Sequence, residues 1–160
     1  MKCYLALGSN SGNREEHLKK AISILVAKVD VLHISPVYET KPVGLTEQRD
    51  FLNMVCEIET EVIPVELLEF TQGVEKAMGR EKTVINGPRI IDIDILEYDA
   101  LHIETELLSI PHARYHDRAF VLAPFADITP DYVHTLLHKT VSELLHETDQ
   151  EGVKRTDILL

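Results

Sequence analysis

The residues best placed to do chemistry are Asp92 and Asp94, inside the run Arg89-Ile90-Ile91-Asp92-Ile93-Asp94-Ile95-Leu96. On a β-strand, alternate side chains share a face. Ile91, Ile93 and Ile95 then face one way, and both carboxylates face the other. The isoleucines can pack on a core while the carboxylates enter a cleft. Two carboxylates about 7 Å apart along a strand can hold metal ions about 4 Å apart. Magnesium suits such a pair, because it takes one or two carboxylates together with water and substrate phosphates. Alternation is also the ordinary pattern of a half-buried strand, so spacing alone does not decide. The cations shift the balance, although arginines and lysines are also ordinary on a solvated surface: Arg80, Lys82 and Arg89 flank the run, and Arg114 and Arg118 follow His112. Five cations around an acidic pair, in a chain of net charge -11, fit a polyphosphate with its metals, since such side chains neutralise charge on transferring phosphoryl oxygens.

Other constellations are weaker. Neither G-x-x-x-x-G-K-[ST] nor G-x-G-x-x-G occurs, so a nucleotide must be held by side chains and metal. Gly8-Ser9-Asn10-Ser11-Gly12-Asn13 reads as a strand-to-helix turn. His112 and His116 are four apart, as are His134 and His138, a spacing that on a helix could bind zinc. Pro111 makes His112 a loop residue, however, and no cysteine lies close. Phe51 and Phe120 are two of four phenylalanines and by themselves read as core.

The elements that must position these residues follow from periodicity. Cys3 to Leu7 reads as a strand. Asn13 is a helix N-cap, and Leu18, Ile22, Leu25 and Val26 recur at helical spacing over 14–28. Strands follow over 29–38 and 51–60. Pro64 suits the first turn of a second helix, which carries Leu67, Leu68, Thr71, Val74 and Met78 and ends at Gly79. Residues 80–87 are polar loop, 89–96 a strand, 101–108 hold a short strand, and 117–127 and 139–147 are helical. The order β-α-β-β-α-β is that of an α+β, ferredoxin-like split βαβ sandwich. It predicts an antiparallel sheet with its two main helices on one face, added short helices near the C-terminus, and the other face free for loops and a ligand.

The 160 residues suit one domain, 1–160. The acidic balance argues against nucleic acid as a partner. Cys3 and Cys56 lie in apolar strands and read as reduced core residues of a cytoplasmic protein. No apolar run nears the roughly 18 residues of a membrane span, and the start is too soon polar for a signal peptide.

The run Gly87-Pro88-Arg89-Ile90-Ile91-Asp92-Ile93-Asp94 resembles the signature of the 6-hydroxymethyl-7,8-dihydropterin pyrophosphokinase family of folate biosynthesis. The resemblance extends in order from Leu7-Gly8-Ser9-Asn10 through Tyr38-Glu39-Thr40, Asp50-Phe51-Leu52-Asn53, Gln72, Glu75 and Gly79-Arg80. It continues through Pro111-His112, Arg118-Ala119-Phe120-Val121-Leu122 and Pro124, covering about 3–135. It implies a ferredoxin-like fold, ATP and two Mg2+ ions, transfer of the β,γ-diphosphate to the pterin hydroxymethyl group with release of AMP, and a monomeric enzyme. Asp92 and Asp94 would bind both ions. Phe51 and Phe120 would sandwich the pterin, with Asn53 on its edge and Thr40 and Val43 completing the pocket. Gln72, Glu75, Arg89, Ile95, His112 and Arg118 would line the nucleotide site, with Arg80 and Lys82 in a loop over ATP. Residues 80–86 are then expected to be mobile in the free protein and to order over the phosphates.

The chain departs from the family pattern at three places. Lys82 stands where members often carry arginine, and lysine keeps the charge but loses the bidentate fork. Asn86 stands where some members have tryptophan, and Ala113 where some have a larger residue. Two rival readings share the fold. A nucleotide- or metal-binding module without turnover would have no use for Phe51, Asn53 and Phe120. A domain that only pairs with partners would not need Asp92 beside five cations.

Overall fold

The computed structural model describes residues 1–44, 47–81 and 87–160. The element order is Lys2–Ser9 (β1), Arg14–Leu25 (α1), Asp30–Ile34 (β2), Tyr38–Thr40 (β3), Phe51–Glu59 (β4), Pro64–Ala77 (α2), Asp92–Tyr98 (β5), Ile103–Glu104 (β6), Ser109–Ile110 (β7), Ala119–Ile128 (α3), Val141–His146 (α4) and Val153–Arg155 (β8). The main sheet runs β5-β1-β4-β3-β8, with β2 also on β4. Its ladders are antiparallel. β6 and β7 form a separate hairpin.

Local chemistry accounts for the boundaries. The Asn13 side chain accepts the Glu16 N–H and caps α1, Pro64 opens α2, and Gly79, at φ +91°, leaves it in the left-handed conformation that glycine takes at no steric cost. The single strand expected over 29–38 is two short ones. Pro36 has no N–H to give a ladder. At the break, the Ser35 hydroxyl takes the Val55 N–H at 2.9 Å while Ser35 N–H bonds Val55 O at 2.9 Å. The strand expected over 89–96 begins and ends later, at Asp92 and Tyr98. The one expected over 101–108 is the β6–β7 hairpin, and β8 was not foreseen.

One sheet face packs as foreseen. Leu5 and Leu7 of β1, Met54, Cys56 and Ile58 of β4, and Ile93 and Ile95 of β5 meet Leu18, Ala21 and Leu25 of α1 and Leu67 and Val74 of α2. The expectation that the other face is left to loops and a ligand needs correction. Tyr4, Val55 and Leu96 are apolar on that side, and Tyr115, Leu122, Phe125, Val141 and Leu144 cover them in a second core. An apolar half-face of this size must be buried, so the short helices are structural, and only the remaining end of the face is open.

That second core is pinned by a buried charge. Glu97, 0% exposed, accepts from Tyr115 Oη at 2.9 Å, from Thr135 N at 3.2 Å and from Thr135 Oγ1 at 2.7 Å. Tyr115 opens the single turn, Tyr115–Asp117, that leads to Arg118 and α3. Replacing Glu97 with alanine leaves buried donors without an acceptor, each worth about 1–3 kcal/mol. We expect Glu97→Ala to lose about 3 kcal/mol of unfolding free energy in urea titrations. Stability within experimental error of the parent would contradict this assignment.

Candidate active site

The carboxylates that the sequence singled out lie at the open end of the second face. β5 pairs with β1 so that Asp92 is opposite Gly8 and Asp94 opposite Ala6. Both neighbours are small, which leaves space above the strand where larger side chains would stand. Ile91, Ile93 and Ile95 are 0–4% exposed in the helix-side core. The alternation therefore aims the acidic pair as foreseen, and Ile95 turns its side chain away from the cleft.

Asp92 is held between two guanidinium groups. Arg80 Nη1 donates to Oδ1 at 2.8 Å and Arg89 Nη1 to Oδ2 at 2.9 Å. Arg80 also makes an ion pair with buried Glu75 of α2. Among the described residues Asp94 has no such bond, and its carboxyl is pushed up to about 7 by burial and by the Asp92 charge, against Arg118, Arg89 and Arg80. Its side chain keeps 40% of its surface open, so water in the cleft tempers this effect. His112 faces Asp94, with Nε2 3.9 Å from Oδ2. Its Nδ1 accepts the Arg114 N–H at 3.1 Å, so a neutral ring carries its proton on Nε2. Burial and Arg118 hold its pKa down at about 4, which keeps the ring neutral near pH 7.

Beside the acidic pair the lining of the cleft becomes aromatic. Phe51 at the start of β4 and Phe120 at the start of α3 both line it, with Thr40, Val43 and Asn53. Asn53 Nδ2 donates to the buried Thr40 Oγ1 at 2.6 Å. The Asn53 side chain lies over Gly8, where a Cβ would stand 2.7 Å from Oδ1; only glycine admits that approach. Arg118, at the N-cap of α3, lies 5.6 Å from the Phe120 ring centroid, within cation–π range. Tyr38 Oη donates to Asp127 Oδ2 at 2.6 Å, which ties the far end of α3 to β3.

The structure thus brings Thr40, Val43, Phe51, Asn53, Arg89, Asp92, Asp94, Arg118 and Phe120 to one cleft, with Arg80 and His112 against the acidic pair and Glu75 behind Arg80. Gln72 is exposed on α2, one turn before Glu75. Lys82 and Asn86, and with them most of the loop expected to order over the phosphates, lie outside the described residues. The histidine pairs do not share helix faces. The Nδ1 of His134 is taken by the N–H groups of Leu136 and Leu137, each at 3.1 Å. Sequence reasoning passed over Ala6, Gly8 and Lys41, which also line the cleft, and Asn10. The signal for the first two was small residues at alternate positions of a strand.

Comparison with known proteins shows the family. Residues 4–130 match the model of the family described as 7,8-dihydro-6-hydroxymethylpterin-pyrophosphokinase (HPPK). The chain belongs to this family. A Bacillus subtilis protein named 2-amino-4-hydroxy-6-hydroxymethyldihydropteridine pyrophosphokinase is 47% identical over 153 residues, spanning 94% of this chain and 87% of the relative. The folic acid synthesis protein fol1 of Schizosaccharomyces pombe is 42% identical over 153 residues, and there the match spans only 21% of the relative's length. Among solved structures, a Plasmodium falciparum HPPK-DHPS chain with pteroate superposes with a TM-score of 0.79 at 18% identity, covering 99% of this chain and 46% of that one. At that identity the likeness concerns the fold alone.

The charge on Asp94 should be visible in stability. With its pKa raised from 3.8 to about 7, the folded state holds this proton more tightly than the unfolded state. Asp94 therefore costs stability progressively as pH rises from about 4 to about 7, and by a constant amount above. In EDTA, Asp94→Asn should melt higher than the parent at pH 8, with the difference vanishing near pH 4. Equal melting temperatures at both pH values would show that Asp94 is not crowded in this way.

Proposed function

We propose that this protein, acting through residues 1–160 as one domain, transfers the β,γ-diphosphate of ATP to the hydroxymethyl group of 6-hydroxymethyl-7,8-dihydropterin in folate biosynthesis, giving the pterin diphosphate and AMP. The observation that carries this reading is a single cleft with two chemically distinct ends. One end is a slot between Phe51 and Phe120, with the Asn53 amide on its edge. The other has the Asp92–Asp94 pair among arginines. A flat heterocycle with polar edges suits the first, and a polyphosphate suits the second. We read the scaffold as ferredoxin-like, since β5-β1-β4-β3 with α1 and α2 on one face follows the split βαβ order.

In the reaction the hydroxymethyl oxygen forms a bond to the β-phosphorus, the bond from that phosphorus to the α-phosphate oxygen breaks, AMP leaves, and the hydroxyl proton passes to water. Catalysis of such transfers rests mainly on alignment and charge stabilisation. Phe51 and Phe120 fix the plane of the pterin, and Asn53 and Thr40 its rotation within that plane. Arg89 and Arg118 neutralise phosphate oxygens, and Arg80 joins them from the end of α2. The neutral His112 offers its Nε2–H to a phosphate oxygen. Gln72, Glu75 and the backbone at Ile95 complete the nucleotide side, and Lys82 is assigned there by its position in the sequence.

The donor set fits magnesium. Asp92 and Asp94 are hard oxygen ligands, and Asp92 already attracts two cations. Among the described residues no three or more metal-ligating side chains cluster, so ions here would share their shell with water and phosphate, as magnesium prefers. We assign two ions to this pair. When bound, magnesium neutralises phosphate charge and lowers the pKa of the attacking alcohol. A cytoplasmic setting accords with the free, buried cysteines Cys3 and Cys56.

Incubation with ATP, Mg2+ and the hydroxymethyl dihydropterin should release AMP and no ADP; formation of ADP would overturn the proposal. Asp92→Asn and Asp94→Asn keep shape and remove charge, so both should fold. Transfer should fall by at least about a hundredfold, because metal ions contribute several kcal/mol at this step and each 1.36 kcal/mol is tenfold. Rates near the parent's at saturating Mg2+ would sink the metal assignment. Phe120→Ala should weaken pterin binding by about tenfold, as expected for losing a stacked ring worth about 1 kcal/mol beyond its area, and leave ATP binding within error. Equal losses for both ligands in titration calorimetry would make Phe120 a core residue instead.

A further inference from the structure

The C-terminal strand β8 lies beyond residues 4–130, the stretch that matches the family, and it closes one side of the aromatic end of the cleft. β3 is three residues long. On one side it pairs with β4, with Thr40 opposite Phe51 and Tyr38 opposite Asn53. On the other it pairs with β8, with Thr40 opposite Val153 and Tyr38 opposite Arg155. Both ends of β3 are tied to the same C-terminal segment. At one end Val37 O accepts the Thr156 N–H at 2.9 Å and the Thr156 hydroxyl at 2.8 Å. At the other the Lys41 N–H donates to Gly152 O at 3.3 Å. Thr156 is anchored in turn: its Oγ1 accepts the Ile158 N–H at 3.2 Å, and Ile158 packs against the helix-side core.

Gly152 has φ +77°, which glycine adopts without steric cost. A Cβ there would stand 3.1 Å from Lys41 Cδ and 3.2 Å from Lys41 Cγ, so the Lys41 stem lies across the glycine. Packing does little to hold this end of β3. A pocket of about 430 Å³ lies between the turn at Gly152 and the start of α3, with Lys41, Val43, Phe120 and Val153 in its lining. A strand this short, paired on one side only, has few bonds to keep its register. The ladder to β8 and the two end ties therefore decide where Thr40 stands. Thr40 is 2% exposed, and its Oγ1 is the acceptor that orients the Asn53 amide.

We infer that Gly152 and Thr156 are positioning residues for the pterin: acting through β3, they set Thr40, and with it the Asn53 amide, against the edge of the ring. The inference rests on the assignment of the pterin end given above. Among the described residues, neither bonds to Asp92, Asp94 or the arginines around them, so their effect is confined to one ligand. Gly152→Val puts a β-branched side chain at a left-handed φ and against the Lys41 stem. Thr156→Val keeps the shape of the side chain and the backbone tie to Val37, and removes the hydroxyl.

The test is steady-state transfer with pterin and ATP varied in turn, together with thermal unfolding of the same variants. In Gly152→Val the KM for the hydroxymethyl dihydropterin should rise at least about fivefold, the factor that one lost hydrogen bond to the ligand is worth. The KM for ATP should stay within about twofold of the parent's, as a loss confined to pterin binding requires. Calorimetric titration of 6-hydroxymethylpterin in the presence of Mg2+ and α,β-methylene ATP, whose methylene replaces the bridge that transfer breaks, should show the same loss of affinity. Thr156→Val should raise the pterin KM at least about twofold, the low end for one hydrogen bond, and Thr156→Ser, which keeps the hydroxyl, should match the parent; this pair serves if Gly152→Val does not fold. Lower melting temperatures with an unchanged pterin KM would show that β8 only stabilises the fold, overturning the inference and leaving the proposed function standing. Equal rises in both KM values would overturn it in the same way. A parent that neither binds the pterin nor releases AMP overturns both.

Discussion

The antiparallel ladder between β1 and β5 is the constraint on which the site depends. It sets Asp92 against Gly8 and Asp94 against Ala6, and its other face is closed by isoleucines in the helix-side core. A shift of one residue in this register would turn both carboxylates into that core and the isoleucines into water. The burial of Ile91, Ile93 and Ile95 therefore does two things: it stabilises the sheet and fixes where the charges point. The small residues opposite the carboxylates keep the space above them open, and Gly8 further admits the Asn53 amide.

Placing two carboxylates on one strand face carries an electrostatic cost, and the neighbourhood is arranged around it. Asp92 is compensated by Arg80 and Arg89, whereas Asp94 has no comparably close guanidinium among the described residues and is pushed up to about 7. The arginines that hold Asp92 are also those suited to phosphate, so the ligand-free arrangement is one that a polyphosphate and its cations would exchange rather than merely fill. Such perturbed groups gather where function needs them.

The aromatic end of the cleft rests on a different part of the fold. Phe120 is set by α3, and α3 is set by the second core, the Tyr38–Asp127 bond and the buried Glu97 network. Phe51 is set by β4, and Thr40 opposite it by β3, which lies between β4 and β8. The two aromatic residues thus come from separate packing units.

Much of this was legible in the sequence because it is local. Period-two alternation gave the acidic face, capping residues gave the starts of α1 and α2, and the succession of elements gave the antiparallel sheet with two helices on one side. The aromatic walls were legible only through family resemblance, because no spacing rule links Phe51 with Phe120. Pro36 carried a readable warning that the strand over 29–38 would break. The cover over Tyr4, Val55 and Leu96 carried none, since the bulge between Tyr4 and Leu5 decides which β5 residues share their face. Asn10 looked like a turn residue because its partners lie 38 and 79 positions away. The sequence by itself determined which residues carry charge, which faces are apolar and in what order the elements come, because these depend on side-chain chemistry and short-range periodicity. Only the tertiary structure decided which arginine meets which carboxylate, which end of the sheet stays open and what β8 holds, because those contacts exist only after distant segments have packed into one register.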